Sequence, residues 1–336
     1  MKEIIRKLTG ICGPSGSEGP VRESIRAEVQ RILAGKAKGT ELRTDAMGNL
    51  IVTRHGSPSG LKVMLAAHMD EIGVVVTHVD EKGFCRFANV GGVRATALWG
   101  SRVLFTGGAV GVIGLEKLED PSRVPGLDRF YIDTGIVGKA DCRVKVGDVG
   151  CFLRDYAEMG RLITAKALDD RIGCAILLQA LDELKDSPHE ISFVFTVQEE
   201  VGLRGATTSA FGVEPNLAIA VDVTGTGDTP EAHPMSVRVG SGAAIKVKDG
   251  GMLAHVGVKD WLVRTAEAGG IPYQLEVLEG GTTDATSIQT SRAGVPAGVL
   301  SVPCRYVHSP SEVVDCGDAE AVVRILTAGL SRGIQL

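Results

Sequence analysis

The feature that most constrains this chain is a change of rhythm along it. Up to about residue 70 and again after about residue 164, helical and strand-like apolar segments alternate. Residues 71–164 instead carry short β segments such as "GVVVTHV", "SRVLFT" and "AVGVIGL", punctuated by Gly and Asp, with no long helical period. Alternating helices and strands build an α/β sheet covered on both faces. A long run of period-two segments cannot continue that pattern. The expected architecture is therefore a discontinuous α/β domain, residues 1–70 plus 165–336, interrupted by an all-β insert at residues 71–164. A chain of 336 residues is long enough for such a pair.

Within the first piece, "KEIIRKL" reads as a helix, and Ser17 and Pro20 open a second one carrying Val21, Ile25, Val29 and Leu33 at helical spacing. "ELRTDAMGNLIVTR" reads as a hairpin and "LKVMLAAHMD" as a central strand buried on both faces. In the last piece a helix from about Asp170 to Lys185 precedes the strands "ISFVFTV" and "LAIAVDV".

A net charge of -5 and the absence of a dense Lys/Arg stripe leave no footprint for nucleic acid. No apolar run approaches the ~20 residues of a membrane span, and the N-terminus lacks a signal-peptide core. Seven cysteines, with no CxxC pair, do not form a disulfide framework. A cytoplasmic, reducing location is expected.

Ligands of open α/β sheets bind beyond the carboxyl ends of the strands. In this chain those positions collect one kind of residue. "VMLAAHMDEIG" ends at His68 and Asp70, "FTVQEE" at Glu199 and Glu200, "AIAVDVT" at Asp222, "CRYVHSPSE" at His308, and "KALDDRIG" offers Asp169 and Asp170 before a helix. Packing has no use for two adjacent carboxylates where a buried strand runs out, since an unpaired buried carboxylate costs several kcal/mol or protonates. Two imidazoles with several carboxylates suit zinc or a similar divalent ion. Three carboxylates around one dication would leave a net negative site, whereas two dications balance three carboxylates and a bridging hydroxide. That favours two metals, about 3.5–4 Å apart, with one carboxylate between them. One acid of the Glu pair is then left over as a general base.

These motifs, in the order "AHMDEIG", "ALDDRIG", "VQEEVGLRGA", "AVDV" and "VHSPSE", resemble the cytosolic co-catalytic metallo-aminopeptidases that assemble as tetrahedral dodecamers. These are the glutamyl and deblocking aminopeptidases, some once labelled endoglucanases. The resemblance spans essentially the whole chain. It implies a three-layer α/β/α catalytic domain of zinc-exopeptidase type, with the insert as a barrel-like dimerisation domain. It further implies His68 and Asp222 on one metal, Glu200 and His308 on the other, Asp169 as the bridge followed by a cis peptide bond, Glu199 as the general base, and Asp70 as the group orienting His68. The metals would be zinc, with cobalt or manganese as alternatives. The implied reaction removes the N-terminal residue of a peptide, and the implied assembly is a homododecamer built from dimers.

Two other reactions fit parts of the pattern. Another amide hydrolase, a deacylase or a carboxypeptidase-type enzyme, could use the same dinuclear site. A glycosidase would want two carboxylates but has no need of the two His, and an aromatic content of 4% offers little sugar-stacking surface. "VGGVRATALWGSRV" and "GLEKLEDPSRVPGLDRFYIDTG" are candidate assembly and lid loops, and "EGGTTDATSIQ" a candidate site wall with Asp284 as a helix N-cap. His55 and His78 read as turn and strand residues, and His233 and His255 lie outside the motifs.

Overall fold

The computed structural model describes residues 1–34, 39–120 and 122–336. The chain opens with α1 (Lys2–Thr9), α2 (Gly19–Leu33), β1 (Thr40–Thr44), β2 (Leu50–Arg54) and β3 (Lys62–His68). It then forms β4 (Gly73–Val79), β5 (Cys85–Val90), β6 (Arg102–Phe105), β7 (Val110–Leu115), β8 (Phe130–Asp133) and β9 (Val149–Leu153). The remainder is β10 (Ala157–Met159), β11 (Leu162–Ala165), α3 (Leu168–Glu183), β12 (Glu190–Thr196), α4 (Arg204–Val213), β13 (Leu217–Thr224), β14 (Ala243–Lys248), α5 (Val256–Ala268), β15 (Tyr273–Val277), α6 (Asp284–Gln289), β16 (Ala297–Arg305), β17 (Glu312–Asp315) and α7 (Cys316–Leu330).

These strands make two separate sheets. The large one has 11 strands, with β1-β2-β12-β3-β13-β16-β17-β11-β10 along its main path and β14 and β15 branching from β16. Its centre is parallel, because β12, β3, β13 and β16 pair with one another in the same direction. Alternate residues of β3 explain the layering. Val63, Leu65 and Ala67 join the core beneath α1, α2, α3 and α7, while Met64 and Ala66 join a second core beneath α4 and α6. A strand whose two faces are both covered has no polar side left, which is why it reads as an unbroken apolar run.

The second sheet is a closed barrel, β4-β5-β8-β7-β6-β9. Its interior is filled by residues including Val74, Val76, Phe87, Val103, Phe105, Ile113, Ile132 and Phe152. Closure leaves no free strand edge. Strands β10 and β11, which follow it, add to the edge of the large sheet beside β17. Among the described residues no helix is long and apolar enough to cross a membrane.

The junction between the two units is pinned by a buried charge cluster. Arg171 is fully buried and donates to the carbonyls of Met69 at 2.5 Å, Leu8 at 2.7 Å, Ile11 at 3.2 Å and Gly13 at 3.2 Å, and to Glu71 Oε1 at 3.3 Å. Lys166 Nζ lies 2.7 Å from both oxygens of Glu71. One guanidinium thereby joins α1, the loop after it, the residue following His68 and the start of α3. Arg171→Met is expected to lower stability by about 3–5 kcal/mol, because it strands buried carbonyls and leaves Glu71 with Lys166 as its one remaining cation among the described residues. Chemical denaturation should show a lower midpoint; an unchanged midpoint would mean the cluster is not what holds this junction.

Candidate metal centre

Because β3, β12, β13 and β16 run in the same direction, their carboxyl ends open on one edge of the sheet. β3 ends at His68. Its Nδ1 lies 3.1 Å from the Asp70 carbonyl oxygen, which accepts a hydrogen bond when Nδ1 carries the proton and leaves Nε2 as the ligand atom. Nε2 faces Asp169 Oδ1 at 3.0 Å, with Glu199 Oε2 at 3.9 Å and Asp222 Oδ1 at 4.0 Å.

Asp169 lies where α3 is not yet helical: it has φ -76°, ψ 104°, and the Asp169–Asp170 peptide bond is cis. The regular helix starts later than the first residues of α3. The two oxygens of the Asp169 carboxylate diverge, Oδ1 to His68 and Oδ2 to His308 Nε2 at 3.4 Å. His308 Nε2 also lies 3.3 Å from Glu200 Oε2. Asp170 plays a different part. Its carboxylate accepts from the backbone amides of His68 at 3.2 Å and Gly173 at 3.0 Å, which joins β3 to α3.

The Glu pair is presented by left-handed backbone on both sides, at Gln198 (φ 56°) before it and Leu203 (φ 57°) after it. Asp70 holds the pair in place. Its carboxylate accepts from the amides of Glu199 at 3.0 Å and Glu200 at 3.2 Å and from the Ser15 hydroxyl at 2.6 Å. Asp70 thus touches both His68 and the loop carrying the two acids. Glu312, to which the sequence reading gave no role, does the same on the other side. It accepts from the backbone amides of Asp169 at 2.9 Å and His308 at 3.0 Å, fixing one side chain relative to the other.

The electrostatics call for positive charge. Burial pushes the Glu199 and Asp222 carboxyls well above their usual range and raises Glu200. Burial works against Asp169 too, but hydrogen bonds from His308 and His68 outweigh it and hold that carboxyl low. Burial likewise disfavours the His308 imidazolium, yet Asp169 and Glu200 beside it push it up to about 11. Among the described residues no Lys or Arg forms an ion pair with Asp169, Glu199, Glu200 or Asp222, and the basic groups within 4.0 Å of these acids are the His68 and His308 imidazoles. Ligand atoms of His68, Asp169 and Glu200 lie within 4.8 Å of one another, as do those of His68, Asp170 and Asp222. This donor set, oxygen-rich with imidazole nitrogens, fits divalent metal ions.

His68, Asp169, Glu199, Glu200, Asp222 and His308 line a cavity of about 650 Å³ whose lining also includes Thr224, Lys246, Leu278, Gly280, Gly281 and Thr282. The "EGGTTDATSIQ" wall is therefore where its Gly-rich pattern suggests. Asp284 is not the α6 cap: Thr283 holds that position, and the Asp284 carboxylate accepts from Thr196 Oγ1 at 2.6 Å. The barrel contributes Gly92 and Arg94 to the cavity. Gly92 approaches so closely that an added Cβ would lie 2.3 Å from His308 Nδ1. The other histidines stay outside: His55 lies 2.9 Å from Glu190, His78 is in β4, His189 Nε2 lies 2.9 Å from the Arg332 carbonyl oxygen, His233 is exposed, and His255 precedes α5. Pro121 of the proposed lid loop lies outside the described residues.

A family model for M42 glutamyl aminopeptidases matches residues 48–325. The chain belongs to the M42 glutamyl aminopeptidase family. All eight residues singled out at strand ends and the helix start, His68, Asp70, Asp169, Asp170, Glu199, Glu200, Asp222 and His308, fall inside the matched part of this M42 chain. A solved aminopeptidase from the archaeon Desulfurococcus kamchatkensis is 40% identical, with a TM-score of 0.93 over 99% of this chain and 94% of that one. The lysyl aminopeptidase of Pyrococcus furiosus is 31% identical over 97% of this chain and 95% of its own length. A solved Pyrococcus horikoshii TET1 peptidase, described as able to assemble into a tetrahedron or a large octahedral shell, is 32% identical, with a TM-score of 0.83 and 98% coverage of both chains.

Proposed function

We propose that this M42 chain is a dinuclear metallo-aminopeptidase that removes the N-terminal residue of peptides in the cytoplasm. The observation that carries the reading is the Asp169 carboxylate, one oxygen turned to each of two imidazoles, beside Glu199, Glu200 and Asp222, to none of which a Lys or Arg is paired among the described residues. His68 and Asp222 would hold one divalent ion, Glu200 and His308 the other, and Asp169 would bridge them. Zinc is the metal proposed, with cobalt or manganese as alternatives. When bound, such ions supply Lewis acidity toward the scissile carbonyl and lower the pKa of water.

The remaining work falls to the protein. Asp70 orients His68 and fixes the amides of Glu199 and Glu200. Glu312 fixes Asp169 relative to His308. Glu199, the acid left without a ligand role, takes the proton of the attacking water and delivers it to the leaving amine. Support for the barrel as a dimerisation surface, and for assembly into a dodecamer, comes from the P. horikoshii relative and from exposed apolar residues on the barrel, namely Trp99, Val110 and Val112.

A scan of aminoacyl chromogenic substrates with metal-free and metal-restored protein tests the activity. Turnover of aminoacyl substrates that depends on added zinc, cobalt or manganese is expected. Cleavage of polysaccharide with no aminoacyl turnover would overturn the reading, and turnover confined to acylated or C-terminal substrates would shift it to another amide hydrolysis.

A further inference from the structure

The mouth of the same cavity holds a cation for which the hydrolytic machinery has no use. Arg94 lines the cavity from the barrel side and is exposed. Among the described residues no carboxylate pairs with its guanidinium and no side-chain hydrogen bond restrains it. Lys246, the other cation on the cavity wall, is already engaged by Glu276 at 2.9 Å and Asp249 at 3.4 Å.

The Arg94 backbone, in contrast, is well anchored. Gly92 is wedged against the His308 imidazole, Val93 N donates to the Gly91 carbonyl at 3.0 Å, and Ala97 N donates to the Arg94 carbonyl at 3.0 Å. Leu98, just beyond, is fully buried in the barrel core. The loop backbone is therefore held against His308 at Gly92, two residues before Arg94, whose side chain helps line the cavity.

Exposure gives the cavity a direction. The His68 side chain is 2% exposed and that of Asp222 9%, whereas His308 is 31% exposed. The His68–Asp222 end is closed, and the cavity is more open at His308 and at Arg94, which is itself exposed. An enzyme that cuts one residue from a peptide seats the amino terminus at the closed end, so the rest of the chain must leave by the open end.

We infer that Arg94 receives a carboxylate on the part of the substrate beyond the scissile bond, either the C-terminal carboxylate of a short peptide or an acidic side chain. The inference rests on the aminopeptidase reading of the site and names a preference within it. A guanidinium fork matches a carboxylate in two parallel hydrogen bonds, which an amide or an aryl group cannot reproduce.

The test uses peptides whose N-terminal residue is the one cleaved fastest in the chromogenic scan, here X. They are X-Gly-Gly as free acid, X-Gly-Gly-amide and X-Glu-Gly-amide. The wild type is expected to favour at least one carboxylate-bearing peptide over X-Gly-Gly-amide by about 5- to 10-fold in kcat/KM, mainly through KM, as suits a partly solvated ion pair. Advantage for the free acid alone identifies the C-terminal carboxylate; advantage for X-Glu-Gly-amide identifies the side chain. Arg94→Ala should abolish the preference, Arg94→Lys should keep part of it, and Arg94→Glu should reverse it. Equal turnover of all three peptides by the wild type, or a preference that survives Arg94→Ala, overturns the role of Arg94 alone. No turnover of any peptide or chromogenic substrate overturns the aminopeptidase reading with it.

Discussion

Glu199→Gln is expected to lower kcat by about 10²- to 10⁴-fold, the range general acid–base groups contribute, while leaving metal content unchanged. The amide keeps the size of the side chain and leaves intact the backbone hydrogen bond from Glu199 N to Asp70 Oδ1, which involves no Glu199 side-chain atom. It cannot accept and return a proton. Glu200→Gln should behave differently, because Glu200 lies 3.3 Å from His308 in the ligand position and its loss should remove metal as well as activity. Kinetics combined with metal analysis separates the two acids. Full activity in Glu199→Gln, or metal loss from it with none from Glu200→Gln, would exchange the proposed roles.

The second large effect is expected at Asp169. Among the described residues this is the one carboxylate within 4 Å of both imidazoles, at 3.0 and 3.4 Å, so its change should disturb both proposed ions together. Replacing a residue that merely orients a ligand typically weakens metal binding by about 10- to 100-fold. Asp169→Asn, which would remove a ligand charge shared by the two proposed ions, should exceed about 100-fold and abolish turnover. His78→Ala, on barrel strand β4, supplies the control and should keep both ions. Retention of one tightly held ion in Asp169→Asn would mean that the carboxylate serves a single metal.

The strand-end rule found the acids and histidines in this sequence because they mark the ends of β3, β12 and β13 and the turn after β16. The groups it missed are those whose role depends on distant segments meeting. Glu312 has a visible signal only in its place four residues after His308. Its bond to the Asp169 amide crosses 143 positions of chain. Arg171 stands in the quoted "DDRIG", but its partners at Leu8, Ile11, Gly13 and Glu71 could not be read from that motif. Arg94 looks like any loop arginine until Gly92 is seen against His308.

Fold was legible for a related reason. Helical and period-two patterns identify elements, and their alternation identified the covered sheet. Period two says nothing of which sheet a strand will join, however. β10 and β11 share the texture of the barrel segments yet join the large sheet, β11 pairing with β17 and β10 with β11. The Asp284 reading failed on a similar limit: an acid near a helix start satisfies the cap pattern, but here the chain turns one residue earlier, at Thr283, and frees the carboxylate for Thr196.

The central claim is that two divalent ions, joined by Asp169, make this site an aminopeptidase. Metal-free protein titrated with zinc, cobalt or manganese, with bound ion and aminoacyl turnover read on the same samples, tests it most directly. The account predicts that turnover reaches its maximum at two ions per chain. Full turnover at one ion per chain, or turnover without any, would contradict it.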